Sequence, residues 1–142
     1  MSKNTGIKYT NNITTISDDM LDGGFFVGWS NSPDASTHLK ILRGSHLAYV
    51  AIDEKTGKVV GFINAVSDGV LSAYIPLLEV LPDYQNCGIG GELIKRILTD
   101  LKNIYMIDII CDKEIAPYYV KHGAMVHGSA CIFRNYDAQS GN

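Results

Sequence analysis

Apolar positions along this chain alternate between two spacings. His46 to Asp53, "HLAYVAID", and Lys58 to Val66, "KVVGFINAV", are apolar runs of strand length, and the "EKTG" between them is a hairpin signal. After a turn at Asp68-Gly69, Leu71 to Val80, "LSAYIPLLEV", reads as a third long strand. Pro76 within it predicts an edge, a bulge or a splayed partner, because proline gives no N–H to a ladder. The spacing then lengthens: Ile89, Leu93, Ile97 and Leu101 fall four apart, with Ile94 and Leu98 beside them. That predicts a helix over 88–103, with Glu92 placed to pair with Arg96 on its wet side. Tyr105 to Cys111, "YMIDIIC", predicts a buried strand. A short helix follows over 115–122, with Pro117 in its first turn and Gly123 after its end. Met125 to Tyr136 predicts one or two last strands.

Signals in the first third are weaker. Ile7 to Thr10 reads as a short strand. Ser17 reads as an N-cap followed by Asp18 and Asp19, and Gly23-Gly24 breaks what begins there. Ser32-Pro33 signals a second helix, with Leu39 and Leu42 on one face, Arg43 in its last turn and Gly44 as its stop. Strands followed by β-α-β-α-β predict a mixed α/β (α+β) sheet.

At 142 residues the chain is long enough for one domain, 1–142, with a real core. A net charge of -3 argues against nucleic acid as a partner. The start, "MSKNTGIKYTNN", is polar, and no apolar run approaches the roughly 18 residues of a membrane span. Cys87, Cys111 and Cys131 form no CxxC pair, which predicts reduced thiols in a cytoplasmic protein rather than a metal site.

The candidate chemistry lies in "PDYQNCGIGGELIKR", Pro82 to Arg96, where three glycines stand between a strand and a helix. Such a bend suits an anion, because glycine lets backbone N–H groups approach closely and the helix N-terminus adds its dipole. It is not a Walker A loop, since Glu92 follows Gly91 where that motif needs lysine. It is a poor Rossmann fingerprint, since Leu93 stands in the third glycine position. Gln85-x-x-Gly88-x-Gly90 instead resembles the Gln/Arg-x-x-Gly-x-Gly/Ala loop of the GCN5-related N-acetyltransferases, the GNAT superfamily. Leu78-Glu79-Val80-Leu81-Pro82-Asp83-Tyr84 is similar to the strand end before that loop. "PYYVKHGA", Pro117 to Ala124, is similar to the later aromatic-Tyr-x-x-x-Gly helix.

The resemblance implies a mostly antiparallel central sheet flanked by helices and splayed between the fourth and fifth strands. It implies acetyl-CoA as cofactor and a small-molecule amine or peptide as acceptor, acetylated by direct attack in a ternary complex. Leu78 and Val80 would meet the pantetheine arm, and Gln85, Asn86, Cys87, Gly88, Ile89, Gly90 and Gly91 the pyrophosphate. Asp112 stands where many members carry a cofactor-binding asparagine. Tyr119 matches the tyrosine that protonates the departing thiolate. Glu79 is the only carboxylate in the apolar strand beside the proposed thioester, suited to a general base if desolvated; Asp108, His122 and His127 are lesser candidates. Phe25, Phe26 and Trp29 would line an acceptor pocket or plug the core. A non-catalytic acyl-CoA binder and a Rossmann-type nucleotide module remain alternatives. The Rossmann module predicts that segments 46–53 and 58–66 do not form a hairpin. A homodimer is left open.

Overall fold

The computed structural model describes residues 6–141. Met1 to Thr5, within the polar start, and Asn142 lie outside the described residues. Among the described residues five strands form one sheet in chain order: β1 (Ile7–Thr10), β2 (Leu47–Asp53), β3 (Lys58–Ser67), β4 (Ser72–Val80) and β5 (Met106–Asp108). The first four are antiparallel neighbours, and β5 is parallel to β4. A parallel pair needs a long crossover, and helix α2 (Ile89–Asp100) supplies it. Helix α1 (Ala35–Gly44) precedes β2, and α3 (Ala116–Val120) follows β5. Among the described residues no helix is long and apolar enough to cross a membrane.

Short-range hydrogen bonds close the turns. In the β2–β3 hairpin the Gly57 N–H donates to the Asp53 carbonyl at 2.8 Å, and Gly57 takes the left-handed φ of 71°. Between β3 and β4 the Asp68 Oδ1 accepts from the N–H groups of Val70, Leu71 and Ser72. These contacts hold its carboxyl below the usual carboxylate range. The hairpin of β2 and β3 is the one arrangement that the Rossmann reading excluded.

Alternation along β3 divides the core between the two faces of the sheet. Gly61 faces α2 so closely that a Cβ there would meet Ile89 at 3.2 Å and Leu93 at 3.4 Å. Phe62, fully buried, faces the other way, onto Phe25, Phe26 and the His38 ring of α1. α2 buries Ile89, Leu93, Ile94 and Ile97, and Glu92 pairs with Arg96 at 2.8 Å, as the spacing predicts.

Five expectations change. The cap of α1 is Asp34, whose side chain accepts the Thr37 N–H at 2.8 Å, so Ser32-Pro33 stands just outside the helix. Gly44 is its last residue rather than the stop beyond it. Ser17 leads only a 3-10 turn, Asp18–Leu21, with no side-chain cap. The "YMIDIIC" run is a strand only over Met106–Asp108, and it is an exposed edge: Tyr105 is 84% and Met106 42% exposed. Met125 to Arg134 forms no strand; only a 3-10 turn, Tyr136–Ala138, follows. Apolar alternation proposes a strand, but a strand exists only where a second edge offers hydrogen bonds.

Candidate active site

β4 and β5 pair only over Ser72–Tyr74 and Met106–Asp108. Between the Val66–Tyr74 and Asn64–Leu77 pairs, β4 holds one residue more than β3. This bulge contains Pro76, which has no N–H to extend the ladder. Beyond it, Leu77 to Val80 are bonded to β3 on one edge and open on the other. An open edge accepts an extended ligand as an added strand. Leu78 and Val80, opposite Ile63 and Gly61, lie on the α2 face of this segment and are half-buried.

The chain then turns from β4 into α2 under several restraints. The Leu81 N–H donates to the Val60 carbonyl at 2.9 Å. The Tyr84 hydroxyl donates to Asp53 at 2.7 Å. The Gln85 amide reaches back to the Val80 carbonyl at 3.0 Å, so this side chain fastens the bend. The half-buried Cys87 thiol lies 3.4 Å from the Gln85 carbonyl. Asn86 and Gly88 both adopt positive φ, 61° and 83°, with Cys87 between them at negative φ. This alternation turns successive amides toward one side. α2 starts at Ile89 with no side-chain cap. The first-turn amides of Ile89, Gly90 and Gly91 therefore have no helical acceptor and mark the positive end of a twelve-residue helix.

Helix α3 closes over this turn. A Cβ at position 90 would stand 2.5 Å from the Tyr118 hydroxyl, and one at 91 would stand 3.1 Å from the His122 ring. The glycines thus permit close approach of α3 as well as of an anion. Gly90→Ala is expected to destabilise the protein by about 1–3 kcal/mol through overpacking. Tyr118→Phe, which removes the obstructing oxygen, should recover much of that loss. Urea melts of the single and double variants measure it, and equal losses in both would place the obstruction elsewhere. Beside the turn lies a hollow of about 550 Å3 lined by Gly91, Lys95, Leu98, Thr99 and His122 among others.

Tyr119 is half-buried on α3, its ring 5.4 Å from that of Tyr118. Burial first, then the neighbouring Cys111 and Tyr118, push its phenol above the usual 10. A phenol so shifted stays protonated at neutral pH and can donate. Cys111 follows β5, so Tyr119 stands beside the continuation of the splayed strand. Asp112 is exposed; its backbone carbonyl accepts from Ile115, and α3 has no side-chain cap. Asp108, opposite Tyr74, and His127 are exposed.

Glu79 lies on the other face of β4. Its two carboxylate oxygens accept from the Phe26 N–H at 2.9 Å and the Val27 N–H at 3.3 Å. They hold a loop in which Phe26 takes a positive φ of 63°. Phe25 and Phe26 are core residues, 8% and 4% exposed, whereas Trp29 packs on Phe26 and is 42% exposed. Their ring cluster encloses His38, which the motif reading did not single out. His38 is 1% exposed, its centroid lies 4.3 Å from that of Phe62, and its Nε2 has no partner. Burial pulls its pKa from 6.5 to about 4. Its spacing four before Leu42 was the available signal, since it places His38 on the buried stripe of α1. Phe25, Phe26 and His38 also line a cavity of about 240 Å3 with Leu21 and Pro33.

The chain is similar to known proteins along most of its length. The model of the Acetyltransferase (GNAT) family matches residues 17–124. GCN5-related N-acetyltransferase 1, chloroplastic, of Arabidopsis thaliana is 30% identical over 95 residues, 66% of this chain and 48% of that protein. An uncharacterized N-acetyltransferase, ycf52-like, of Prochlorococcus marinus is 29% identical over 114 residues, 75% of this chain and 62% of that one. The chain therefore spans about half to three-fifths of the length of these curated relatives. A crystal structure from Deinococcus radiodurans R1 superposes with a TM-score of 0.90 at 37% identity, covering 99% of this chain and 97% of that one. A GNAT family acetyltransferase from Streptococcus pneumoniae TIGR4 gives 0.71 at 27% identity, over 91% and 96%. The family model spans more than half of the chain, from the 3-10 turn at Asp18 through α3, and the chain belongs to the GNAT family of acetyltransferases.

Proposed function

We propose that this protein moves an acetyl group from acetyl-CoA to a primary amine by direct attack. One observation carries the reading: the open edge of β4 runs into an uncapped glycine turn, with the Tyr119 helix across it. The pyrophosphate suits the amides of Gly88 to Gly91, and the pantetheine suits the free edge at Leu78 and Val80. The hollow beside α2 suits the nucleotide end. Asn86 and Cys87 shape the turn, Gln85 fastens it, and Asp112 stands at the mouth beyond β5.

In the reaction the amine nitrogen attacks the thioester carbonyl. Negative charge gathers on the carbonyl oxygen, where a preorganised backbone N–H near Leu78 would contribute about 3–4 kcal/mol. The C–S bond breaks and the sulfur takes the Tyr119 proton, which solvent then replaces. The ammonium proton leaves through water to Glu79, which has a free lone pair on each oxygen while it anchors the loop. Trp29, with the loop of Phe25 and Phe26, forms the acceptor wall.

One feature favours a second reading, an acyl-CoA binder without turnover: both Glu79 oxygens are already engaged by loop amides. Thermal melts with acetyl-CoA, NAD and ATP in parallel test the binding that both readings share. Ligand at a hundredfold excess over its dissociation constant should add about 2.7 kcal/mol, a rise of several degrees. A shift with NAD or ATP but not acetyl-CoA overturns both. A shift with acetyl-CoA followed by CoA release on an amine panel separates enzyme from binder.

A further inference from the structure

The reaction assigned above makes no use of His38 or of the cavity beside it. That cavity has a volume of about 240 Å3, and about 150 Å3 already seats a benzene ring. Leu21, Phe25, Phe26, Pro33 and Ala35 supply its apolar wall, and His38 its buried polar group. The rings of Phe25, Phe26 and Phe62 meet the imidazole edge-on, with centroids 5.1, 5.0 and 4.3 Å away. His38 is 1% exposed and its Nε2 has no partner. A buried ring nitrogen left without a hydrogen bond destabilises the fold unless something bonds it. Water suits the place poorly. A buried water is held by roughly two to four polar partners, and His38 Nε2 is the one unpartnered buried side-chain atom on this wall among the described residues.

The rim decides the charge of an occupant. Asp22 and Asp34 both line the recess, so an anion is repelled. Asp22 is already paired with Lys58 at 2.8 Å, and Asp34 caps α1 through the Thr37 N–H. A cation therefore gains little there in exchange for its lost hydration among the rings. An uncharged occupant remains. The aromatic walls favour an aromatic body, which can meet them edge to face. A hydroxyl suits Nε2, because O–H both donates and accepts and so fits either imidazole tautomer. We propose that this cavity binds a small uncharged aromatic alcohol, of the size of phenol, whose hydroxyl pairs with His38 Nε2. Phe26 joins the cavity to Glu79: its side chain is a wall of the one, and its N–H donates to the other at 2.9 Å. An occupant thus bears on the loop that holds Glu79 without touching the acetyl donor. The site does not depend on the reaction assigned above.

Phenol is the probe, and toluene, of similar shape without a hydroxyl, is its comparator. Imidazole nitrogen resonances of isotope-labelled protein should show the His38 Nε2 signal moving saturably with phenol, one molecule per chain. Trp29, the sole tryptophan, packs on Phe26 with ring centroids 5.2 Å apart, so its emission should follow the same curve. Toluene should bind about tenfold more weakly, the scale of one hydrogen bond. In His38→Phe, which keeps a ring and loses the nitrogen, the two should bind alike. Ala35→Leu, which fills the recess from α1, should abolish both. A His38 resonance unmoved at the solubility limit of phenol overturns the proposal. So does equal binding of phenol and toluene to the wild type, which would mean an apolar cavity and nothing more. Preference for phenol that survives both variants places its site elsewhere and overturns it too. The wild-type resonance reads the site directly, so a variant that fails to fold does not protect the proposal.

Discussion

Tyr119→Phe is expected to lower kcat by about 10²–10⁴-fold, the usual scale of a lost general acid, and to leave acetyl-CoA affinity nearly unchanged. The ring remains to pack; only the proton is lost. Thiolate departs in the transition state, so the loss belongs to kcat rather than to ground-state binding. The pH profile makes the assignment specific. Burial, then Cys111 and Tyr118, raise this phenol above 10. The wild-type rate should therefore hold through neutral pH and fall only as the phenol ionises in strong alkali. The phenylalanine variant should lack that limb. Steady-state rates across pH, with a separate binding titration, decide it. An unchanged kcat with an unchanged profile would remove Tyr119 from the chemistry.

A second large effect falls on stability in acid, through His38. Its folded pKa, about 4, lies below the ordinary 6.5 because burial disfavours the imidazolium. Between those values the unfolded chain binds a proton that the folded one refuses. The contribution is complete above 6.5 and is lost as pH falls toward 4, about 3 kcal/mol at roughly 1.36 per unit. Asp34, Asp53 and Asp68, each held below its usual value, lose their contributions only at lower pH. Urea melts from pH 7 to pH 4 should show the loss in the wild type and a much flatter line in His38→Leu. Parallel lines would mean that the folded ring takes its proton normally.

Local sequence was sufficient wherever the deciding interaction lies within a few residues. Four-residue spacing marked α2, because its buried stripe and the Glu92–Arg96 pair are both near in sequence. Asp68-Gly69 and "EKTG" marked two turns closed within a few residues, the first by the Asp68 carboxylate and the second by Asp53. Pro76 announced an edge, a bulge or a splayed partner at β4, since a missing N–H acts on its own strand, and the register selects the bulge. The glycine turn was legible for the same reason: positive φ and close approach restrict the residue itself.

Contacts between distant segments decided the rest. Glu79 reads from its strand as a lone acid, yet amides 52 and 53 residues away claim both its oxygens. His38 looks like any helix histidine until Phe25, Phe26 and Phe62 enclose it. Gly90 and Gly91 read as anion contacts, and only α3 shows that Tyr118 and His122 also require them small. "YMIDIIC" and the segment from Met125 to Arg134 have the composition of strands. A strand is a property of two edges, and periodicity along one cannot say whether the other is there.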